Sequence, residues 1–241
     1  MLEVAFKADA ECMGTLLWDR DYVRRFTDVV PSEISISHPG KPGRFLAERL
    51  IEDVYAREFG GRIVEHYPLL INARDEAGRV IAAAGLRFAE DGPLFLETYL
   101  GHPVEQSISK AAGRQVARKD IVEIGNLAAA NRGASVFIFA TLAAYLRALD
   151  FSYATATATK GLRRSFARHG IEVMELAPAS ASALPDHGAD WGSYYMREPK
   201  VLAGPIAPAF DCLETYLPSP RNADLGRLFS PSLLQRREIV Q

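Results

Sequence analysis

Two carboxylates stand alone in stretches whose apolar residues predict buried strands. Glu123 lies in "DIVEIGNLA", and Glu97 lies in "LFLETYL", where strand alternation puts it on one face with Phe95 and Tyr99. Burying an isolated carboxylate costs several kcal/mol. Each residue is therefore either a site residue with a shifted pKa, such as a general base, or a structural carboxylate bonded to an arginine or to backbone. The sequence leaves both interpretations open.

Polar and small residues near these carboxylates extend the candidate site. Arg87 ends the apolar stretch "GLRFA" and is a natural partner for Glu97. The two would either bind a polar head group of a substrate or form an ion pair with each other. Gly125 removes a side chain beside Glu123, which in a strand predicts a bulge or the close approach of a ligand. Asn126 follows it with an amide that could bond a substrate carbonyl.

Two further features are compatible with binding. The turn "ANRGAS" precedes an apolar helix, and free N–H groups at a helix start attract phosphate, although most such termini bind nothing. The stretch "KGLRRSFARHG" predicts a short basic helix that is either a solvated face or a docking site for an acidic partner. Its basic residues are Lys160, Arg163, Arg164 and Arg168.

Composition excludes several classes of function. The chain has 241 residues, 48% of them apolar, and a formal net charge of -2, so bulk charge does not favour nucleic acid. We expect no membrane span, signal peptide or metal site, because no long apolar run, basic leader or ligand spacing is present. Cys12 and Cys212 are expected to be free thiols in a cytoplasmic protein.

The pattern of the whole chain predicts a mixed α/β sheet. Helices are expected in "GRFLAERLIEDVYAREFG", "PVEQSISKAAGRQVARKD", "GASVFIFATLAAYLRALD" and the basic stretch. Strands are expected in "LEVAFKA", "SEISIS", "HYPLLINARD", "RVIAAAGLRFA", "GPLFLETYL", "DIVEIGNLA", "FSYATATA", "IEVMELA" and "WGSYYM". The strand–helix–strand unit from Asp120 to Ala158 should form a parallel pair, and a final helix is expected near Ser230.

These stretches resemble the thermostable hemolysin family. The matching segments run in order over about residues 43 to 206 and include "PLL", "GLRFA", "LFLETYL", "IVEIGNLA", "LRRSF", "WGSYY" and "PKVLAG". That family is similar to acyl-homoserine-lactone synthases and GNAT acyltransferases. The resemblance implies a GNAT-like domain over residues 1–206, with a core at 43–206 and an N-terminal arm at 1–42. An irregular tail with a short helix would follow at 207–241.

The resemblance also implies a function and a donor site. A central strand that splays from its neighbour would admit the pantetheine arm of an acyl thioester, carried by acyl carrier protein or coenzyme A. The arm would bond Leu127, Ala128 and Ala129, and its phosphate would meet the turn formed by Asn131, Arg132, Gly133, Ala134 and Ser135. Where the usual coenzyme A signature has Gln or Arg, Gly, and Gly or Ala, this chain has Ala130, Gly133 and Ser135. That departure favours a carrier protein docked on the basic helix.

The expected activity is transfer of the acyl group to an amine-type small molecule. Glu123 or Glu97 would accept the amine proton, Arg87 would hold an acidic group of the acceptor, and Asn126 would bond a carbonyl. Two alternatives stay open: a non-catalytic protein that binds an acyl ligand, lipid or partner, and a membrane-active protein. Apolar tail residues, namely Leu228, Phe229, Leu233 and Leu234, are available to cover a second copy in a homodimer.

Overall fold

Nine strands form one sheet in the parts of the chain that the computed structural model describes, residues 2–25, 27–131 and 133–217. Their order across the sheet is β2-β1-β3-β4-β5-β6-β7-β9-β8. The β1–β3 and β6–β7 pairs are parallel, and the other neighbours are antiparallel. The strands are β1 Leu2–Ala8, β2 Glu11–Trp18, β3 Glu33–Ser37, β4 Leu69–Arg74, β5 Val80–Phe88, β6 Ile121–Ala129, β7 Tyr153–Ala158, β8 Met174–Pro178 and β9 Lys200–Pro205.

Helices cover both faces of this sheet. Their bounds are α1 Arg20–Val23, α2 Arg44–Phe59, α3 Glu97–Leu100, α4 Val104–Ala112, α5 Ser135–Ala148, α6 Lys160–Arg168 and α7 Ile206–Leu213. Helix α5 belongs to the largest core cluster with Leu69 and Ile71 of β4, whereas α2 packs with Leu70 of the same strand. Because alternate residues of a strand point to opposite faces, α5 and α2 lie on opposite sides of the sheet. Each residue from Val136 to Leu146 in α5 is buried, as expected for a sandwiched helix.

The central strands β6 and β7 separate after a short paired segment. Only three register pairs join them, from Ile121 with Tyr153 to Glu123 with Thr155. Strand β6 continues to Ala129 and stays paired with β5 on its other edge. The expected parallel pair and the expected splay of the central strand are therefore both present.

Two predicted strands are wrong. The stretch "LFLETYL" turns through Leu94 and Phe95 into helix α3, and it mimics a strand because Leu94 and Leu96, two residues apart, are both buried. The stretch "WGSYYM" forms 3-10 turns, at Ala189–Trp191 and Tyr194–Arg197. The strand in this region is instead β9, which fills the gap between β7 and β8. The other predicted helices and strands between residues 2 and 178 are present, but the helix expected in "PVEQSISKAAGRQVARKD" ends at Ala112, and only a 3-10 turn at Arg118–Asp120 follows.

The two ends of the chain differ in how they join the fold. Strands β1 and β3 pair with each other, and β3 pairs with β4, so the N-terminal residues continue the sheet. Helix α7 packs on α5. The predicted helix near Ser230 and the apolar tail residues lie outside the described residues. Within the described ranges, no helix has the length and apolar character needed to cross a membrane. Cys12 and Cys212 are exposed free thiols, as expected.

Candidate functional site

Glu123 is a buried carboxylate that is held by backbone amides. It lies in β6 beside the point where β6 and β7 part, and its side chain is almost inaccessible. Its oxygens accept hydrogen bonds from the N–H groups of Phe95, at 2.9 Å, and Leu96, at 3.0 Å. The phenol of Tyr67 lies close enough to Glu123 to favour its ionised form. Burial raises the pKa of Glu123 above its ordinary value, and the two amides and the phenol offset only part of that effect.

Tyr67, which sequence reasoning missed, occupies the space that two glycines leave open. Gly85 of β5 and Gly125 of β6 stand opposite each other in the sheet. A Cβ added at Gly85 would collide with the near end of the Tyr67 side chain, and one added at Gly125 would collide with its phenol end. The expected open space at Gly125 is therefore filled by an aromatic ring from the chain itself. Burial, and then the negative charge of Glu123, raises the pKa of Tyr67 well above its ordinary value.

Asn126 forms the bulge that was predicted beside Gly125. Between the pairs Ala83 with Ala128 and Gly85 with Gly125, Ala84 of β5 faces two residues of β6. Asn126 is one of these two, and its φ of 49° lies in the left-handed region that asparagine tolerates better than most residues. Its side-chain oxygen accepts the backbone N–H of Tyr67 at 3.2 Å. Through this hydrogen bond, the bulge in β6 holds the backbone of Tyr67 in place.

Glu97 lies in a different environment from the one expected. It starts α3, and its partner is Arg118 rather than Arg87, with 2.5 Å between Glu97 Oε1 and Arg118 Nη1. It also accepts the N–H groups of Leu94 and Val104. Burial favours a raised pKa, but the bonds from Arg118 and these amides hold the pKa of Glu97 below its ordinary value. The predicted pairing of Glu97 with Arg87 is wrong.

Arg118 organises the loop that reaches Glu123. It donates to the carbonyls of Ala89 and Gly92 and to the carboxylates of Glu97 and Glu105. These bonds fix the segment that carries the Phe95 and Leu96 amides. Sequence reasoning missed Arg118, because it stands among other basic residues in "GRQVARKD" and its partners lie in earlier segments of the chain.

Arg87 faces a pocket and is held loosely. Its guanidinium lies over the Tyr67 ring, 5.0 Å from the centroid, and donates to Glu65 Oε1 at 2.9 Å. The side chain of Glu65 is 77% exposed, so this ion pair is weak and can be exchanged.

Two cavities meet where β6 and β7 part. The first, of about 210 Å³, is apolar and lies between the splayed strands and helices α5, α6 and α7, and we name it the acyl cavity. The second, of about 310 Å³, opens on the α2 side, and we name it the acceptor pocket. Both names follow the function expected from the sequence. Arg87, Tyr67, Phe95, Tyr99 and Trp191 line the acceptor pocket. The residues that line both cavities are Tyr55, Gly125, Asn126, Thr157 and Tyr194.

The residues expected to bind the donor follow the free edge of β6 and the next turn. Leu127 lines the acyl cavity, whereas Ala128 and Ala129 pair with β5. Asn131 accepts the N–H of Ala134, and Gly133 has a φ of 85° that suits glycine. Ser135 begins α5, whose first turn has no acidic residue and no side-chain cap. Arg132 lies outside the described residues.

The basic helix α6 lies at the rim of the acyl cavity. Leu162 and Phe166 line the cavity from the apolar side of the helix. Arg163 is used locally, because it donates to the carbonyls of Ala158 and Glu198, and Lys160 lies 3.8 Å from the Glu198 carboxylate. Arg164 and Arg168 are exposed and stand one turn apart on the outer side.

The family is decided by comparison with known proteins. The model of the family described as thermostable hemolysin matches residues 37–210. The chain belongs to the thermostable hemolysin family. No protein among those with curated functions matches it. The family match spans the splayed strand, helix α6 and the lining of both cavities except Leu213.

Solved structures of similar fold include two acyl-homoserine-lactone synthases and an N-acyl amino acid synthase. The AHL synthase LasI has 15% identity and a TM-score of 0.54, over 76% of this chain and 95% of LasI. FeeM, an N-acyl amino acid synthase from uncultured soil microbes, has 10% identity and a TM-score of 0.51, over 73% of this chain and 92% of FeeM. BjaI, a CoA-dependent acyl-homoserine lactone synthase, has 15% identity and a TM-score of 0.50, over 72% of this chain and 82% of BjaI. At these identities the likeness establishes the fold, which is the fold expected from the sequence.

Proposed function

We propose that this thermostable hemolysin family protein is an acyltransferase that moves an acyl group from a carrier thioester to the amine of a small molecule. The observation that carries the proposal is the meeting of two cavities of different character at the splay between β6 and β7. An acyl transfer needs an apolar site for the chain and a polar site for the acceptor, with the thioester between them. The fold shared with LasI, FeeM and BjaI supports the same class of reaction.

The acyl chain fits the acyl cavity. Its walls include Phe139, Leu142 and Leu146 of α5, and α7 contributes Ala209 and Leu213. Burial of a methylene from water contributes about 0.8 kcal/mol, so a chain that extends along this lining gains affinity with each carbon that it buries. Since α7 forms part of the lining, its side chains are expected to limit the length of chain that is accepted.

The thioester carbonyl lies, in this proposal, where the two cavities join. The side chain of Asn126 lines both cavities, and so does Thr157, whose buried hydroxyl has no hydrogen-bond partner among the described residues. A donor that is positioned before the reaction stabilises the charge that develops on the carbonyl oxygen. The pantetheine arm would run along the free edge of β6 at Leu127–Ala129, and its phosphate would lie at the turn before α5.

A carrier protein is the favoured donor. Arg164 and Arg168 are exposed on α6, whose opposite side lines the acyl cavity. A carrier bound there would place its prosthetic arm at the splay, and an acidic partner would be steered to it by charge. In this proposal Arg163 and Lys160 serve to hold α6 in place, since both contact Glu198.

Arg87 and Glu123 supply the acceptor chemistry. Arg87 would exchange the exposed Glu65 for an acidic group of the acceptor, which places the amine near the splay. Glu123 would take up the amine proton, because burial raises its pKa and makes it a stronger base than an ordinary glutamate. Glu97 drops out of this role, since it is committed to Arg118 and lines neither cavity.

The test is transfer from defined donors. Acyl carrier protein and coenzyme A thioesters of increasing chain length are incubated with a panel of amines, including amino acids, while released thiol and product mass are followed. We expect turnover with at least one carrier-bound donor and a sharp preference for chain length. Tight binding of acyl donors with no transfer to any amine would instead support a non-catalytic acyl-binding protein.

Charge reversal tests the docking surface separately. The double variant Arg164→Glu/Arg168→Glu is expected to reduce kcat/KM about 10-fold or more with carrier-bound donors and to leave short coenzyme A donors unaffected. The matched control is Arg57→Glu, an exposed arginine of α2 on the other side of the sheet. Equal losses for the two variants would rule out docking on α6.

A further inference from the structure

We propose that Tyr67 is the catalytic residue that exchanges a proton with the reacting amine, and that Glu123 receives this proton through the Tyr67 phenol. The inference rests on the acyltransferase function proposed above and assigns a role within it to a residue outside the sequence-predicted site. It changes the role of Glu123 from direct contact with the substrate to a proton acceptor behind a tyrosine.

Access to the substrate separates the two residues. Tyr67 lines the acceptor pocket, whereas Glu123 lines neither cavity and its side chain is about 1% exposed. The Tyr67 phenol lies beside Gly125, and Gly125 lines both cavities. The phenol oxygen is therefore near the junction where the amine must meet the thioester, and Glu123 lies two residues before Gly125 in the same strand.

The tyrosine is held at both its backbone and its ring. Its carbonyl oxygen accepts Arg44 Nη2 at 2.7 Å, and Arg44 is itself buried. Its N–H donates to Asn126, and its ring rests on Gly85 and Gly125. The ring packs where Gly85 and Gly125, which stand opposite each other, have no side chain. Such fixation suits a group that must keep one geometry during a reaction.

The groups around the phenol keep it protonated and oriented. Glu123 of β6, Arg87 of β5 and Tyr55 of α2 face Tyr67. Tyr99 of α3 faces Glu123 from the loop side. The effects of burial and of the Glu123 charge outweigh that of Arg87, so the phenol stays neutral at physiological pH. In the proposed relay its O–H points to the carboxylate. Its oxygen then has a lone pair for an amine N–H.

The step is balanced without any further reagent. As the amine nitrogen bonds to the thioester carbon, its proton moves to the Tyr67 oxygen while the phenolic proton moves to Glu123. When the carbon–sulfur bond breaks, the proton returns from Glu123 through Tyr67 to the departing thiolate. The products are an amide and a free thiol, and both side chains regain their starting states.

Kinetics of the variant Tyr67→Phe test the relay. We expect kcat to fall about 100-fold with little change in KM. The double variant Tyr67→Phe/Glu123→Gln should be no slower than the slower single variant, since the two groups act as one unit. The matched control is Tyr153→Phe, a buried tyrosine of β7 whose hydroxyl contacts Arg114 instead, and its kcat should stay near that of the wild type.

A titration adds a measurement that does not depend on turnover. Infrared difference spectra between wild type and Glu123→Gln isolate the Glu123 carboxyl band as pH is varied. In Tyr67→Phe the midpoint of this band should rise, because the ionised form loses a donor, and in Tyr153→Phe it should not move. An unchanged midpoint in Tyr67→Phe would contradict the relay.

The outcomes separate the relay from the general function. If the wild type transfers acyl groups and Tyr67→Phe retains its rate, the relay is wrong while the acyltransferase function stands. If the wild type transfers to no acceptor, the acyltransferase function fails and the relay fails with it. Loss of rate together with the raised midpoint supports both.

Discussion

Glu123 and Glu97 are two enclosed carboxylates that the fold treats in opposite ways. Glu97 is neutralised by a guanidinium, accepts two backbone amides and has a lowered pKa. Glu123 also accepts two backbone amides, but its third partner is a phenol and its pKa is raised. The amide contacts are alike, so the opposite shifts have two other causes: burial raises the pKa of Glu123, and the guanidinium of Arg118 lowers the pKa of Glu97.

This difference separates a structural carboxylate from a reactive one. A guanidinium keeps its proton at any physiological pH, so the pair Glu97–Arg118 can only hold a loop in place. A phenol can pass a proton in either direction, and that leaves Glu123 able to change its state. The loop fixed by Arg118 also delivers the Phe95 and Leu96 amides, so the structural region supports the reactive one.

The largest expected effect is on turnover when Glu123 is neutralised. Glu123→Gln should lower kcat by about 100-fold or more, because no acceptor for the amine proton remains. The measurement is steady-state thiol release with the best donor, beside circular dichroism to show that the fold persists. A folded variant with wild-type kcat would contradict the role of Glu123.

Neutralising Glu97 should act on stability instead. Glu97→Gln is expected to lower the free energy of unfolding by about 2 kcal/mol, since it weakens a charged hydrogen bond to Arg118. Urea denaturation measures this. Glu105→Gln is the control, because Glu105 contacts Arg118 through a single bond at 2.8 Å and should cost less. If Glu97→Gln lost as much kcat as Glu123→Gln and kept its stability, Glu97 would not be a structural carboxylate.

A side chain at Gly125, where the Tyr67 ring packs, should destabilise the region around Glu123. Gly125→Ala places a Cβ against the Tyr67 phenol and is expected to cost about 1–3 kcal/mol of stability. In Gly161→Ala of α6, the new Cβ meets only Thr159 Oγ1, at 3.9 Å, so stability should be unchanged or slightly higher. Thermal unfolding of both variants compares them directly, and equal stabilities would show that Tyr67 can move aside.

The smallest effect is the dependence of stability on pH, and its sign differs between the two carboxylates. The pKa of Glu97 is lowered on folding, so its contribution is present above its unfolded pKa and is lost as pH falls through the folded value. The pKa of Glu123 is raised, so its contribution is complete below the unfolded pKa and is lost as pH rises through the folded value. Denaturation of each Gln variant against wild type, from pH 3 to 8, should give slopes of opposite sign.

Sequence reasoning predicts helices and strands well where apolar residues recur with a regular period. Strand β6, its splay from β7 and the buried helix α5 follow from periodicity and from the family resemblance. The segment "LFLETYL" misleads because burial of Leu94 and Leu96 has the spacing of a strand, whereas Glu97 starts a helix and is held by Arg118 from a later segment.

The site is predictable only in part. Glu123, Arg87 and Asn126 stand out as polar residues in apolar stretches, and the structure brings all three around one tyrosine. Tyr67 itself escapes notice because a tyrosine before Pro68 has no unusual neighbour in sequence. Its role depends on register, since only the pairing of β5 with β6 sets Gly85 opposite Gly125.

The ring of Tyr67 and the two glycines beneath it constrain the evolution of this sheet. A side chain at position 85 or 125 is compatible with the fold only if position 67 becomes smaller, and a smaller residue at 67 leaves a void unless one of the glycines is replaced. The three positions should therefore vary together among relatives. A family member with Ala or Ser at 125 is expected to lack an aromatic residue at 67, and with it this route for the proton.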